Sequence, residues 1–197
     1  PMPANMMHGR QLVNEPATAA LSCPNDFPIR ESAMAIDSQQ LMTMLDTLGI
    51  ATTTVEHPPL RTIEDSRRLR GHLPGGHAKN LFLKDKKGGY WLLVALEHTA
   101  VDLREAASLL QAPRFSFANA EALDRLLGVQ PGAVSPFAAV NDVEGQVCVV
   151  LEQQVLDTER LNCHPLRNDR TTTIATTELL RFLDQIGHPP RIIRLPG

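Results

Sequence analysis

Cysteine is scarce in the chain: Cys23, Cys148 and Cys163 are the only three, with no C-x-x-C spacing. That count excludes a disulfide framework and a zinc ribbon, and it suits a reducing cytoplasm. Aromatic residues make up only 4%, but 43% apolar and 21% charged content over 197 residues still describes a globular chain rather than a disordered or fibrous one. Long apolar runs are missing. The stretch Trp91 to Leu96 falls far short of the roughly 20 residues a bilayer-spanning helix needs, so no membrane association is expected. A strong basic excess is missing too, and a net charge of -3 argues against a protein that coats nucleic acid by bulk electrostatics.

Several chemistries are excluded on the same grounds. There is no G-x-G-x-x-G after a strand, no G-x-x-x-x-G-K-[ST] and no G-x-S-x-G elbow. The seven histidines include no H-E-x-x-H, and His72 and His77 lie five apart in a glycine-rich loop, so neither a metal nor another cofactor is expected. Cys163 stands beside His164, but neighbours on a strand point to opposite faces, which sets that pair aside as nucleophile and base.

What is present divides at residue 36. Residues 1–36 carry five of the fifteen prolines and little apolar periodicity, and they read as a flexible tail. Position 1 is Pro, and Met34 immediately precedes a capped helix, consistent with a start at Met34 behind an extension or a cloning remnant. Residues 37–197 read as one domain. Asp37 caps a helix over Leu41, Met44, Leu45 and Leu48 that Gly49 stops, and a Thr- and Val-rich strand follows from Ile50 to Glu56. His57-Pro58-Pro59 breaks it, and a helix from Thr62 to about Gly71 comes next. Asn80–Lys84 and Tyr90–Leu96 form a hairpin, with helices at 102–110, 119–127 and 177–186. Strand-like segments fall near Val134 and at 147–151, 160–163, 171–174 and 191–195. Irregular alternation of this kind predicts an α+β fold, a mixed and partly curled β-sheet packed with helices.

Charge is concentrated in one place. Arg61, Arg67, Arg68, Arg70, Lys79, Lys84, Lys86 and Lys87 face only Glu64, Asp65 and Asp85 between residues 61 and 87, a local net charge of +5. Such a zone suits brief contact with one polyanionic segment, although a solvated helix face and hairpin would read the same way.

Three segments concentrate groups able to bind a ligand. Gly75-Gly76-His77-Ala78-Lys79-Asn80 delivers a lysine from a glycine-rich loop into an apolar strand, where a cation can hold a carbonyl or phosphate. Gly128-Val129-Gln130-Pro131-Gly132-Ala133 allows backbone N–H groups to approach an anionic oxygen, and it equally describes a helix cap and a turn. His164-Pro165-Leu166-Arg167-Asn168-Asp169-Arg170-Thr171 packs hydrogen-bonding groups into eight residues without an acid–base pair.

In that order these segments, H-A-K-N-L-F-L-K-D-K-K-G, L-G-V-Q-P-G-A-V-S-P-F and H-P-L-R-N-D-R-T, closely resemble the YbaK/ProX family of aminoacyl-tRNA deacylases, related to the editing domain of bacterial prolyl-tRNA synthetases. The resemblance runs from about Asp37 to the C-terminus and is nearest the free-standing ProX type. It implies a trans-editing hydrolase acting on mischarged tRNA(Pro), with Ala-tRNA(Pro) the expected substrate. Hydrolysis of a Cys-, Ser- or Thr-tRNA and noncatalytic binding of the tRNA end remain the alternatives. By the same resemblance Lys79 anchors the substrate, Gly128 to Gly132 contact the aminoacyl carbonyl and ribose, and His164 bounds the amino-acid pocket. His77, Asn80, Pro131, Ala133, Asn168 and Thr171 join them as substrate contacts, and Arg67, Arg68, Arg70, Lys84 and Lys86 are the candidates for tRNA phosphates. Ala78 departs from the threonine the pattern leads one to expect, removing a hydroxyl near the site. The implied partners are the tRNA acceptor end and, as a second, prolyl-tRNA synthetase.

Overall fold

The computed structural model describes residues 35–58 and 73–196. The helix expected over 62–71, and with it Arg61, Arg67, Arg68 and Arg70, lies outside the described residues, as do residues 1–34. Ile36, placed in the tail by sequence, belongs to the domain: its N–H donates to Asn141 Oδ1 at 2.8 Å and its carbonyl accepts from Asn141 Nδ2 at 3.3 Å.

Helix α1 (Ser38–Thr47) begins at Asp37, and the cap is reciprocal, because Gln40 returns a side-chain oxygen to the Asp37 N–H. Strand β1 (Thr52–Glu56) follows, then β2 (Gly76–Asp85) and β3 (Tyr90–Leu96). Helix α2 (Leu103–Leu109) is capped by Asp102, a short β4 covers Phe115–Phe117, and α3 (Ala120–Leu127) runs from the Asn119 cap to Gly128. A 3-10 helix (Pro136–Asn141) leads to β5 (Val147–Glu152), α4 (Gln153–Leu156), β6 (Arg160–Cys163), β7 (Arg170–Ala175), α5 (Thr176–Gln185) and β8 (Arg191–Ile193).

The result is a mixed α+β fold, as the sequence pattern leads one to expect. The strands join in the order β1-β7-β6-β2-β3-β5-β8, with β4 added to β2. Pairs β2/β6, β3/β5 and β5/β8 are parallel and the rest antiparallel. Two expectations change. The segment near Val134 is not a strand; it enters the 3-10 helix, whose Pro136 opens the first turn and whose Phe137, Ala138 and Ala139 are fully buried. Strand β2 starts four residues earlier than its apolar run, at Gly76 inside the glycine-rich segment, because Gly76 and His77 pair with Leu161 and Asn162 of β6.

Both faces of the sheet are covered. The larger core gathers Leu41 and Leu45 of α1, Leu123 and Leu127 of α3, and Phe182 of α5, which meets Phe137 edge-on at 5.7 Å. The smaller packs Leu83, Trp91 and Leu93 against Ala106, Leu110 and Phe115 on the opposite face. Asp85 locks the β2–β3 hairpin: its carboxylate accepts the Lys87 and Gly89 N–H groups at 2.7 and 3.0 Å and the buried Trp91 Nε1–H at 3.0 Å. Asp85→Ala should therefore cost about 2–3 kcal/mol in a urea titration, since it strands a buried indole donor as well as two turn amides.

Candidate active site at the split edge of the sheet

Strand β2 pairs with β3 from Ala78 to Lys84 on one edge. Its other edge is divided. Gly76 and His77 pair with β6, Leu83 to Asp85 pair with β4, and residues 78–82 between them have ladder partners only in β3. The Glu97 N–H donates to the His77 carbonyl, so odd-numbered residues of β2 direct their backbone groups toward β3. Ala78 and Asn80 therefore direct theirs toward the split. The Asn80 side chain adds a buried Oδ1 with no hydrogen-bond partner among the described residues.

The registers bring the first and third segments together. Carried past their last pairs, His77–Asn162 and Cys163–Thr172, they place Lys79, His164 and Thr171 in one row across the sheet. That row lies on the face opposite the larger core, the face on which Thr173 Oγ1 donates to Asn162 Oδ1. Lys79 Nζ donates to the carbonyls of Glu97, at 3.5 Å, and Thr99. Among the described residues no carboxylate lies within ion-pair distance of it.

The 164–171 segment is braced at both ends. His164 Nδ1 lies 2.9 Å from the Arg170 carbonyl. Arg170 pairs with Glu56 at 2.9 Å, and Arg167 pairs with Asp169, whose carboxyl is held below its usual range by the hydrogen bond from that guanidinium. Both guanidinium groups thus serve to hold the loop. Leu166 adopts a left-handed φ of 63° while its side chain is buried in the larger core, so packing holds a conformation that a leucine would not otherwise choose. His57, which the sequence marks only as a strand end, completes the cluster: its Nε2 is 2.9 Å from Thr171 Oγ1 and its ring meets His164 edge-on at 6.3 Å. The signal that could have found it is an imidazole at a strand end just before a proline pair.

The second segment joins from the side of the larger core. Gly128 is the left-handed cap of α3, its N–H donating to the Asp124 carbonyl, so its part is to turn the chain and not to donate to a ligand. Gly132, at φ +92°, lies against the third segment, with a methyl at its Cα falling 3.5 Å from Asn168 Nδ2. Pro131 is exposed, and Ala133 is buried, packing into the same core as Leu166 and the half-buried Ala78. Ala78 therefore faces apolar neighbours, where the absent hydroxyl would have had to find a partner. Lys84 and Lys86 are exposed, and the Lys84 ammonium and Arg125 guanidinium both approach the Tyr90 ring, at 5.5 and 5.9 Å.

Burial pushes the Cys163 thiol far above its ordinary range, which leaves it inert. Among the described residues no three His, Cys, Asp or Glu side chains are placed to hold a metal ion, and no helix is long and apolar enough to cross a membrane. A cavity of 420 Å³ opens elsewhere, between Thr53, Arg160, Thr173, Glu178 and Arg181, and includes none of the candidate residues. The split edge, where the three segments meet, is the better site on chemical grounds. It offers a cation, ring nitrogens, a hydroxyl and unladdered backbone, a set suited to holding a polar, electrophilic group in place.

Known proteins resemble this chain in sequence and in fold. The profile of the aminoacyl-tRNA editing domain family matches residues 57–182. The chain is 36% identical over 157 residues to prolyl-tRNA synthetase associated domain-containing protein 1 of Danio rerio, covering 79% of this chain and 85% of that protein. It is 31% identical over 164 residues to the prolyl-tRNA editing protein ProX of Acetoanaerobium sticklandii, covering 82% of this chain and all of that one. A solved structure described as a candidate trans-editing enzyme for prolyl tRNA synthetase superposes with a TM-score of 0.62 at 20% identity, over 84% of this chain and 99% of that one, which shows the shared fold. The fold and the family match together define the class, an aminoacyl-tRNA editing domain. This chain belongs to the aminoacyl-tRNA editing domain family, and it is a deacylase.

Cys163→Ala should keep deacylase activity, and Cys163 should resist alkylation in the folded protein. Loss of activity in a folded variant would reinstate a thiol nucleophile.

Proposed function

We propose that the protein edits mischarged tRNA(Pro) in trans, hydrolysing the ester of Ala-tRNA(Pro) by water attack assisted by the substrate's own ribose hydroxyl. The observation that carries this reading is the Lys79 ammonium, seated on two carbonyl oxygens at the split edge in one row with His164 and Thr171. Bound to neutral partners, it keeps its charge for a ligand, an anionic phosphate or a carbonyl that becomes negative during attack.

An aminoacyl ester is already activated, and a neighbouring hydroxyl can orient water, so no protein nucleophile is required. In this reading Lys79 holds the substrate end, the Asn80 N–H directed into the split stabilises the developing oxyanion, and His164 bounds the amino-acid pocket. Asn168 and Thr171 orient the terminal adenosine with Gly132 behind them, and His77 flanks the lysine. Ala133 and Pro131 close the wall. A hydrophobic pocket separates side chains differing by one methylene by only about 1–3 kcal/mol, so alanine is distinguished from proline by excluding the larger ring. The names of the Danio and Acetoanaerobium relatives support tRNA(Pro) as the carrier. Lys84 and Lys86, with Arg67, Arg68 and Arg70, contact acceptor phosphates, and the reaction belongs in the cytoplasm, near prolyl-tRNA synthetase.

Lys79→Ala should lower the deacylation rate by roughly a hundredfold or more, the scale expected when one charge-stabilising group is removed. Circular dichroism and melting should remain those of the wild type. Across a panel of mischarged tRNAs, Ala-tRNA(Pro) should be hydrolysed fastest. A preference for Cys, Ser or Thr would replace the substrate, and no hydrolysis above the spontaneous rate would leave a tRNA-end-binding module. Affinity for the tRNA should fall steeply with salt, and a flat response would remove the basic residues from the interface.

A further inference from the structure

Glu152 ends β5 with no exposed surface, a depth that carboxylates seldom occupy without partners. Its Oε2 accepts the Gln154 N–H at 2.8 Å and so caps α4, while its Oε1 is buried with no hydrogen-bond partner among the described residues. Capping accounts for one oxygen. It does not account for a second one left alone in the interior.

Two independent connections lead from this carboxylate to Lys79. The first is a chain of hydrogen bonds. Thr99 Oγ1 donates to the Gln154 side-chain oxygen at 3.2 Å, and the Thr99 carbonyl accepts from Lys79 Nζ. The second is the sheet. Lys79 pairs with Ala95, and one residue beyond the Val94–Leu151 pair Ala95 lies beside Glu152. Leu93 and Val150 pair on the face of the smaller core, so by alternation Ala95, Glu152 and Lys79 all leave the sheet on that face. They stand two interstrand steps apart, about 10 Å between the outer Cα atoms, with the buried Ala95 on the strand between them.

We infer that Glu152 is a positioning residue for Lys79. Its carboxylate anchors the Gln154–Thr99 relay that presents a carbonyl to the ammonium, and its charge, facing Lys79 across Ala95 in an interior where fields are weakly screened, keeps the ammonium in that seat. The inference rests on Lys79 being the substrate-anchoring cation, and it adds a residue from a strand that none of the three segments contains.

Glu152→Gln preserves volume and an oxygen for the Gln154 N–H and removes the charge. It should lower kcat for mischarged tRNA about tenfold, within the range for groups coupled in one network, with KM little changed. The NMR cross-peak of the Lys79 Cε methylene, assigned by its absence in Lys79→Arg, should shift. Thr99→Val cuts the same relay while leaving the carbonyl, should act in the same direction, and decides the matter if Glu152→Gln does not fold. A folded Glu152→Gln protein with wild-type kcat and an unmoved Lys79 signal overturns the inference, even if its Tm is lower, because that is the pattern of a cap alone. The NMR signal requires no turnover. A wild-type protein that hydrolyses nothing, but whose Lys79 signal moves in Glu152→Gln, defeats the deacylase reading and sustains the coupling.

Discussion

The architecture depends on how the second edge of β2 is shared. Parallel β6 takes the beginning of the strand and antiparallel β4 takes its end, and two neighbours running in opposite directions cannot merge into one ladder. Residues 78–82 are left between them, held straight by β3 on the other side. Backbone groups in such an opening need partners. An ester carbonyl and ribose hydroxyls are groups that can supply them, which is why the proposed site is placed at this opening.

The surrounding polar groups are restrained in advance. Glu56 and Asp169 hold the arginines of the 164–171 loop, Arg170 and Thr171 hold the two histidines, and Glu97 and Thr99 hold the lysine through carbonyl oxygens. Carboxylates thus brace the frame while the cation at the centre is seated on neutral oxygens. This division suits an activated ester. In the proposed reaction the protein orients the substrate and stabilises charge without forming a covalent bond to it.

Much of the fold was legible because its punctuation is local. Asp37, Asp102 and Asn119 start helices and Gly128 stops one through hydrogen bonds within four residues, and the aromatic and β-branched run Tyr90–Leu96 marks a strand. Three elements escaped for physical reasons. Phe115–Phe117 is too short to show a period and exists because β2 offers it an edge. Pro136–Asn141 is apolar enough to suggest a strand, and its proline and burial turn it into a 3-10 helix. Gln153–Leu156 is one turn capped by a buried carboxylate.

By itself, the sequence determined which segments are candidates for the site, since a lysine leaving a glycine-rich segment, paired glycines after a helix and a dense polar turn are each local patterns. It also determined that no nucleotide loop, hydrolase elbow or H-E-x-x-H motif is present. Tertiary structure decided how those residues meet. That Lys79 stands in a row with His164 and Thr171 follows from strand register, which for β2 and β6 joins segments more than eighty residues apart. That His57 lies beside Thr171, and Glu152 on the same face as Lys79, follows from the pairing of β1 with β7 and of β5 with β3. A chain read residue by residue contains its caps and turns, but the proximity of two side chains on different strands exists only once the sheet has closed and burial has selected its register.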